Sequence, residues 1–167
     1  MRKQSKESQN KHSITKKQVS AGAIVFMIHK KEINVLQLIY KKEGKEEIDI
    51  GPKGHVEKGE SLLKTANREI MEELGIPLHI DGNFREEETY SFLINDERTK
   101  AQRKINKKAV FFLAFINQKD IRQINLSNEH TRYYLTPIDK AIEQVAFPNQ
   151  RFILEKAREY IKEHYLT

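Results

Sequence analysis

The chain has 167 residues, 38% of them hydrophobic, and a formal net charge of +6, which suits one domain built on a single core. It contains no cysteine, so disulfides, thiolate metal sites and a cysteine nucleophile are excluded, and a reducing cytoplasm is the simplest compartment. The longest apolar run, Ala21 to Ile28, falls far short of the roughly 20 residues of a membrane helix, and no apolar segment of the secretory kind follows Met1; a soluble protein is expected.

Residues 1–17 carry Arg2, Lys3, Lys6, Lys11, Lys16 and Lys17 against Glu7 alone, so most of the net charge sits there. With Ser, Gln, Asn and Lys and little to bury, this segment is expected to be a disordered basic tail, and residues 18–167 the folded domain. Ordered structure should begin near Gln18, with Val19–Ile28 a strand, His29–Glu32 a hairpin loop and Ile33–Tyr40 the partner strand. Lys41–Glu47 reads as a surface loop and Ile48–Ile50 as a short strand stopped by Gly51 and Pro52. A helix follows: Ser61 suits the N-cap, Leu62, Ala66, Ile70 and Leu74 recur every four residues, and Gly75 suits the stop. Glu88–Ile94 and Ala109–Ile116 read as strands joined by a charged connection, Asn95–Lys108. Tyr133–Leu135 reads as a last strand, Pro137–Val145 as a helix, and Asn149–His164 as an amphipathic helix with Phe152, Ile153, Ala157 and Ile161 inward. Strands followed by helices without regular alternation predict an α+β fold with a mixed sheet.

The chemistry lies between Gly54 and Ile76, GHVEKGESLLKTANREIMEELGI. At about 100° per residue, Glu69 and Glu73 fall about 40° apart on one helix face, with Glu72 about 60° to the other side. Like charges so crowded raise one another's pKa unless a multivalent cation offsets them. Carboxylate oxygens without Cys or His select Mg²⁺, with Mn²⁺ the alternative. A solvated acidic helix face is the bland alternative.

The same segment matches the Nudix signature, G-x5-E-x7-R-E-U-x-E-E-x-G-U with U apolar, at every specified position; a chance match has a probability on the order of 10⁻⁹ to 10⁻⁸ per start. The chain thus resembles the Nudix hydrolases, which implies an α/β/α sandwich and hydrolysis of a P–O–P link. The resemblance implies metal ligation by Glu69, Glu73 and the Gly54 carbonyl, with Glu72 a ligand or the group that orients water. It also implies a structural Glu60–Arg68 ion pair.

Flanking residues narrow the resemblance. Pro52-Lys53-Gly54-His55-Val56-Glu57 with Gly59-Glu60, the stretch Ser127-Asn128-Glu129-His130 and the strand Lys107–Leu113 resemble segments of the diadenosine tetraphosphate hydrolases. This similarity makes Glu129 a further metal-centre carboxylate and possible base, alongside Glu69 and Glu72. Lys53 and Lys107 are candidate polyphosphate contacts, Tyr90 and Tyr134 (and Tyr133) candidate adenine platforms, and His55 and His130 phosphate contacts or local loop anchors. Relatives carry a tryptophan just before the P-K-G, where this chain has Ile48-Asp49-Ile50-Gly51. The expected partner is a nucleotide substrate, with no membrane. Alternatives are a Nudix enzyme acting on 5′-triphosphorylated or capped RNA, gripped by the basic segments, and a non-catalytic nucleotide- or RNA-binding module.

Overall fold

A computed structural model describes residues 15–166. The elements are β1 (Thr15–His29), β2 (Glu32–Lys42), β3 (Lys45–Asp49), β4 (Lys53–His55), α1 (Leu62–Leu74), β5 (His79–Asn95), β6 (Gln102–Phe115), α2 (Gln118–Ile121), β7 (Arg132–Pro137), α3 (Ile138–Gln144) and α4 (Pro148–Tyr165). The strands form one mixed sheet in the order β3-β2-β1-β6-β5, with β4 paired to β1 and β7 to β2. β1 and β6 run parallel, in register from Thr15↔Lys104 to Phe26↔Phe115; the other pairs are antiparallel.

Both faces of the Ala21–Phe26 part of β1 and the Ala109–Ala114 part of β6 are covered, so these stretches read as continuous apolar runs rather than alternating ones. Ile24, Phe26, Phe111 and Leu113 pack with Ile153, Leu154 and Ala157 of α4. Ala23 and Val25 face the other way, onto Ile70 and Leu74 of α1. The sheet therefore lies between α1 and the α3–α4 pair, the expected α/β/α sandwich of an α+β chain.

Several boundaries differ from expectation. β1 begins at Thr15, inside the segment expected to be tail, because Lys104 and its neighbours give Thr15–Lys17 a parallel partner; residues 1–14 lie outside the described residues. Lys41–Glu47 is a tight hairpin rather than a loop, turning on Glu43 and Gly44, both at positive φ (52° and 78°), the geometry that matches strand twist. The charged Asn95–Lys108 segment is largely strand: β5 and β6 form a long hairpin closed by Asp96–Ala101, with Asp96 accepting from the backbone N–H groups of Arg98 and Thr99. β5 starts at His79, its pairing broken by an irregularity between Asp81 and Glu86. Phe152, expected inward, is 49% exposed, since Ile153, Leu154, Ala157 and Ile161 take the buried stripe. The short helix α2, closed by an Asn117–Asp120 capping box, was not expected.

Candidate active site

The loop before α1 is locked by its own side chains. Ser61 caps the helix by accepting from the Lys64 N–H at 3.1 Å. Glu60 accepts from the Arg68 guanidinium through both oxygens (2.8 and 3.1 Å), from Thr65 at 2.8 Å and from its own loop's Glu57 N–H at 3.1 Å. These bonds, Arg68 first, lower its carboxyl pKa to about 2. Arg68 also donates to the His55 carbonyl at 2.8 Å, tying β4 to the helix. The ion pair implied by the signature is thus the clasp between loop and helix.

Gly54 lies against the Glu69 carboxylate: a Cβ there would sit 2.0 Å from Oε1, so only glycine lets the two approach. At the other end of α1, Gly75 adopts the left-handed conformation (φ 72°), and the strap after it docks back onto the helix, Asn125 N–H to the Leu74 carbonyl and Ser127 N–H to the Glu73 carbonyl (2.9 and 3.1 Å). Those two backbone bonds place Glu129 and His130 beside the helix.

The resulting open cleft is lined by Lys53, Gly54, His55, Arg68, Glu69, Glu72, Lys107 and Glu129. Glu73 lies beneath, 4% exposed. Its carboxyl is pushed up to about 9 by burial and by the negative charges of Glu69, Asp49 and Glu129, opposed by the Lys53 backbone N–H that donates to it. Glu69 is also shifted upward, by burial first and by Glu72 and Glu129, against the opposing Arg68 contact.

The structure separates the remaining sequence candidates. Tyr90 stands beside the cleft with Lys107 Nζ 6.0 Å from its ring centroid, and shares a neighbouring groove with Lys107. Tyr134 is not in the cleft: it is 48% exposed and accepts from Arg132 at 2.7 Å. His130 is 7% exposed and turned inward, so it anchors its loop and does not line the cleft. Its Nε2 lies 2.9 Å from Asp49 Oδ2 and its Nδ1 3.9 Å from Glu73 Oε2.

Asp49 is the residue sequence reasoning missed. The signal available was an acid between Ile48 and Ile50 in a strand, an arrangement that calls for a buried partner. Because its charge helps hold the Glu73 proton on, Asp49→Asn should lower the Glu73 pKa of the metal-free protein by roughly one unit, read by NMR titration of the side-chain carboxyl in EDTA. An unmoved or raised Glu73 titration would show that Asp49 does not act on Glu73.

A divalent cation fits this donor set. Glu73 Oε2 is buried and has no hydrogen-bond partner among the described residues, as expected of an oxygen reserved for another ligand. The carboxylates are mutually destabilising without such a charge, and glycine exposes its backbone where they meet. Among the described residues no three acidic or histidine side chains are already gathered at ligand distances. Instead Arg68 Nη1 holds Glu69 and Glu72 at 2.7 and 3.2 Å, a contact that a cation would share or displace.

Comparison with known proteins gives a consistent answer. The NUDIX domain model matches residues 16–156. The asymmetrical bis(5′-nucleosyl)-tetraphosphatase of Sus scrofa is 34% identical over 113 residues, 66% of this chain and 69% of the relative. The Rattus norvegicus protein of the same name is 33% identical over the same shares. Among solved structures, a binary complex of a C. elegans Ap4A hydrolase superposes with a TM-score of 0.69 at 24% identity, covering 87% of this chain and 98% of that one. A MutT protein from Methanosarcina mazei Go1 superposes at 0.60 and 22%, covering 87% and 96%. No described helix is long and apolar enough to cross a membrane. With the signature, the sandwich and the curated relatives in agreement, the chain belongs to the NUDIX domain family.

Proposed function

We propose that this Nudix pyrophosphohydrolase cleaves dinucleoside polyphosphates asymmetrically in the presence of Mg²⁺, converting diadenosine tetraphosphate to ATP and AMP. The observation that carries the reading is the cleft itself, where Lys53 and Lys107 share one lining with Gly54, Glu69, Glu72 and Glu129. The asymmetrical tetraphosphatases among its relatives support the choice of substrate.

Glu69, Glu73 and the Gly54 carbonyl would hold the cation, with Glu72 and Glu129 as further oxygen donors; when bound, Mg²⁺ or Mn²⁺ supplies charge neutralisation on the phosphates and a more acidic water. Lys53 and Lys107 offer mobile point charges to the polyphosphate, and His55, at the cleft rim, a further contact. Tyr90, with Lys107 beside its ring, presents a face for one adenine. Glu129 makes no hydrogen bond or ion pair among the described residues and lines the cleft, which suits it to accept the proton of the attacking water, whereas Glu69 and Glu72 are held by Arg68.

The test is product analysis with Mg²⁺ and diadenosine tetraphosphate, ADP-ribose, a nucleoside triphosphate and a 5′-triphosphorylated RNA offered separately. ATP and AMP in equal amounts from the dinucleotide, faster than any other conversion, is the expected result. ADP as the main product would overturn asymmetric cleavage, and a preference for ADP-ribose or RNA would overturn the substrate.

A further inference from the structure

Beyond the cleft, β5 and β6 continue as a ribbon that, with the start of β1, forms a three-stranded platform. Strand register puts Tyr90, Phe92 and Ile94 opposite Lys107, Ile105 and Arg103, and Lys16 opposite Ile105 on the other side. Side chains directly opposite share a face, so one face carries a file of apolar rings and branches bordered by cations. Tyr90, Phe92 and Ile94 are about equally exposed (40%, 41% and 40%), and the two rings stack with centroids 6.2 Å apart at 29°. Solvent-facing aromatic residues in series along a strand are costly unless something covers them.

The charges indicate what covers them. Lys16 and Lys107 make no ion pair among the described residues, while Arg103 pairs with Asp96 at 3.1 Å near the hairpin tip. Immediately before this platform the sequence adds Arg2, Lys3, Lys6 and Lys11 against Glu7. Aromatic faces at strand spacing with cations alongside are the physical requirement for a single strand of nucleic acid: each base has a face to stack and each phosphate a charge to meet. The platform also reaches the cleft, because Lys107, directly opposite Tyr90, lines the cleft as well.

We propose that this ribbon docks single-stranded RNA, bases on Tyr90 and Phe92 and phosphates along Lys107 and Lys16, with one end of the strand at the cleft. The choice of RNA rests on the reading of the cleft as a site for ribonucleoside polyphosphates; the docking surface itself does not depend on hydrolysis.

Binding of a 3′-labelled, 5′-hydroxyl oligouridylate 12-mer to the full chain in EDTA, followed by fluorescence anisotropy across a salt series, tests this separately from activity. Phe92→Ala should weaken the dissociation constant by about 10-fold or more. Lys16→Ala should make the slope of log affinity against log salt shallower by about 0.7. Both variants should hydrolyse diadenosine tetraphosphate as wild type does. Lys16 is exposed at a strand end, so its variant keeps the test valid should Phe92→Ala fold poorly. Affinities of both variants within twofold of wild type would overturn the proposal, as would equal binding of a fully paired RNA hairpin. Failure here with dinucleotide hydrolysis intact would remove the ribbon alone; RNA binding without dinucleotide hydrolysis would remove the substrate reading and leave the ribbon.

Discussion

Glu73→Gln is expected to lower hydrolysis of the proposed substrate, diadenosine tetraphosphate, by about 10²–10⁴-fold through loss of a cation ligand, and at pH 8 to raise the melting temperature of the metal-stripped protein. The two effects share one cause. Glu73 is almost fully enclosed and has Glu69, Asp49 and Glu129 for neighbours, so its carboxyl is raised to about 9 in the fold, against about 4.3 in an unfolded chain. Between those values the folded protein keeps a proton that the unfolded chain has lost. Stability therefore falls as pH rises through that window, and is fully present only below it. Glutamine keeps the shape without the charge, so the variant escapes the loss and melts higher at pH 8, by roughly 3–10 °C for a gain of about 1–3 kcal/mol. Mg²⁺ should restore the wild type at alkaline pH and do much less for the variant. Differential scanning fluorimetry from pH 5 to 9, with EDTA or Mg²⁺, reads all of this; a variant that melts lower than wild type at pH 8 in EDTA would mean that Glu73 is an ordinary buried anchor.

The second large effect is on stability. Gly51→Ala should destabilise the protein by about 3 kcal/mol or more, lowering the melting temperature by roughly 6–12 °C. A Cβ at Gly51 would lie 1.9 Å from the Ala23 carbonyl oxygen, and one at Gly22 would lie 2.0 Å from the Pro52 carbonyl oxygen. In both cases the obstacle is backbone, which cannot swing aside as a long side chain can. The close approach has a purpose: Ala23 N–H donates to the Pro52 carbonyl at 3.0 Å, and the β1–β4 pairing that follows sets Gly54 against Glu69. Gly22→Ala should behave alike. A melting temperature within 2 °C of wild type for either variant would show that these strands can separate without cost.

How much of this was legible depended on where each contact lies in sequence. Helix α1, its Ser61 cap and its Gly75 stop are local, so spacing alone specifies them, while the Glu60–Arg68 clasp, also local, was implied by the resemblance of the signature. Of the ribbon, Glu88–Ile94 was legible as strand but Gln102–Lys108 was not: Ile105 is its lone apolar residue, and what makes a strand of it is pairing on both sides, with β5 and with the distant β1. A motif match located His130, and the need for an aromatic face nominated Tyr134, but neither gave the side chain's direction, which is decided by Asp49 from across the fold for His130 and by neighbouring Arg132 for Tyr134. Asp49 lies in the stretch Ile48-Asp49-Ile50-Gly51 that stands where relatives carry a tryptophan, and its histidine partner is a tertiary fact.

The parallel pairing of β1 with β6 has a consequence for how the chain reaches this state. Thr15–Phe26 finds its main partner about 90 residues later, at Lys104–Phe115, so on a ribosome the first strand emerges long before the one it needs. Its own hairpin with β2 and the local helix α1 can form early, but the central seam of the sheet must wait and then close a long loop, the slow kind of step in domains rich in distant contacts. Until β6 arrives, the apolar run Ala21–Ile28 is exposed on one edge, and that interval is when the nascent chain is most open to mispairing and to capture by chaperones.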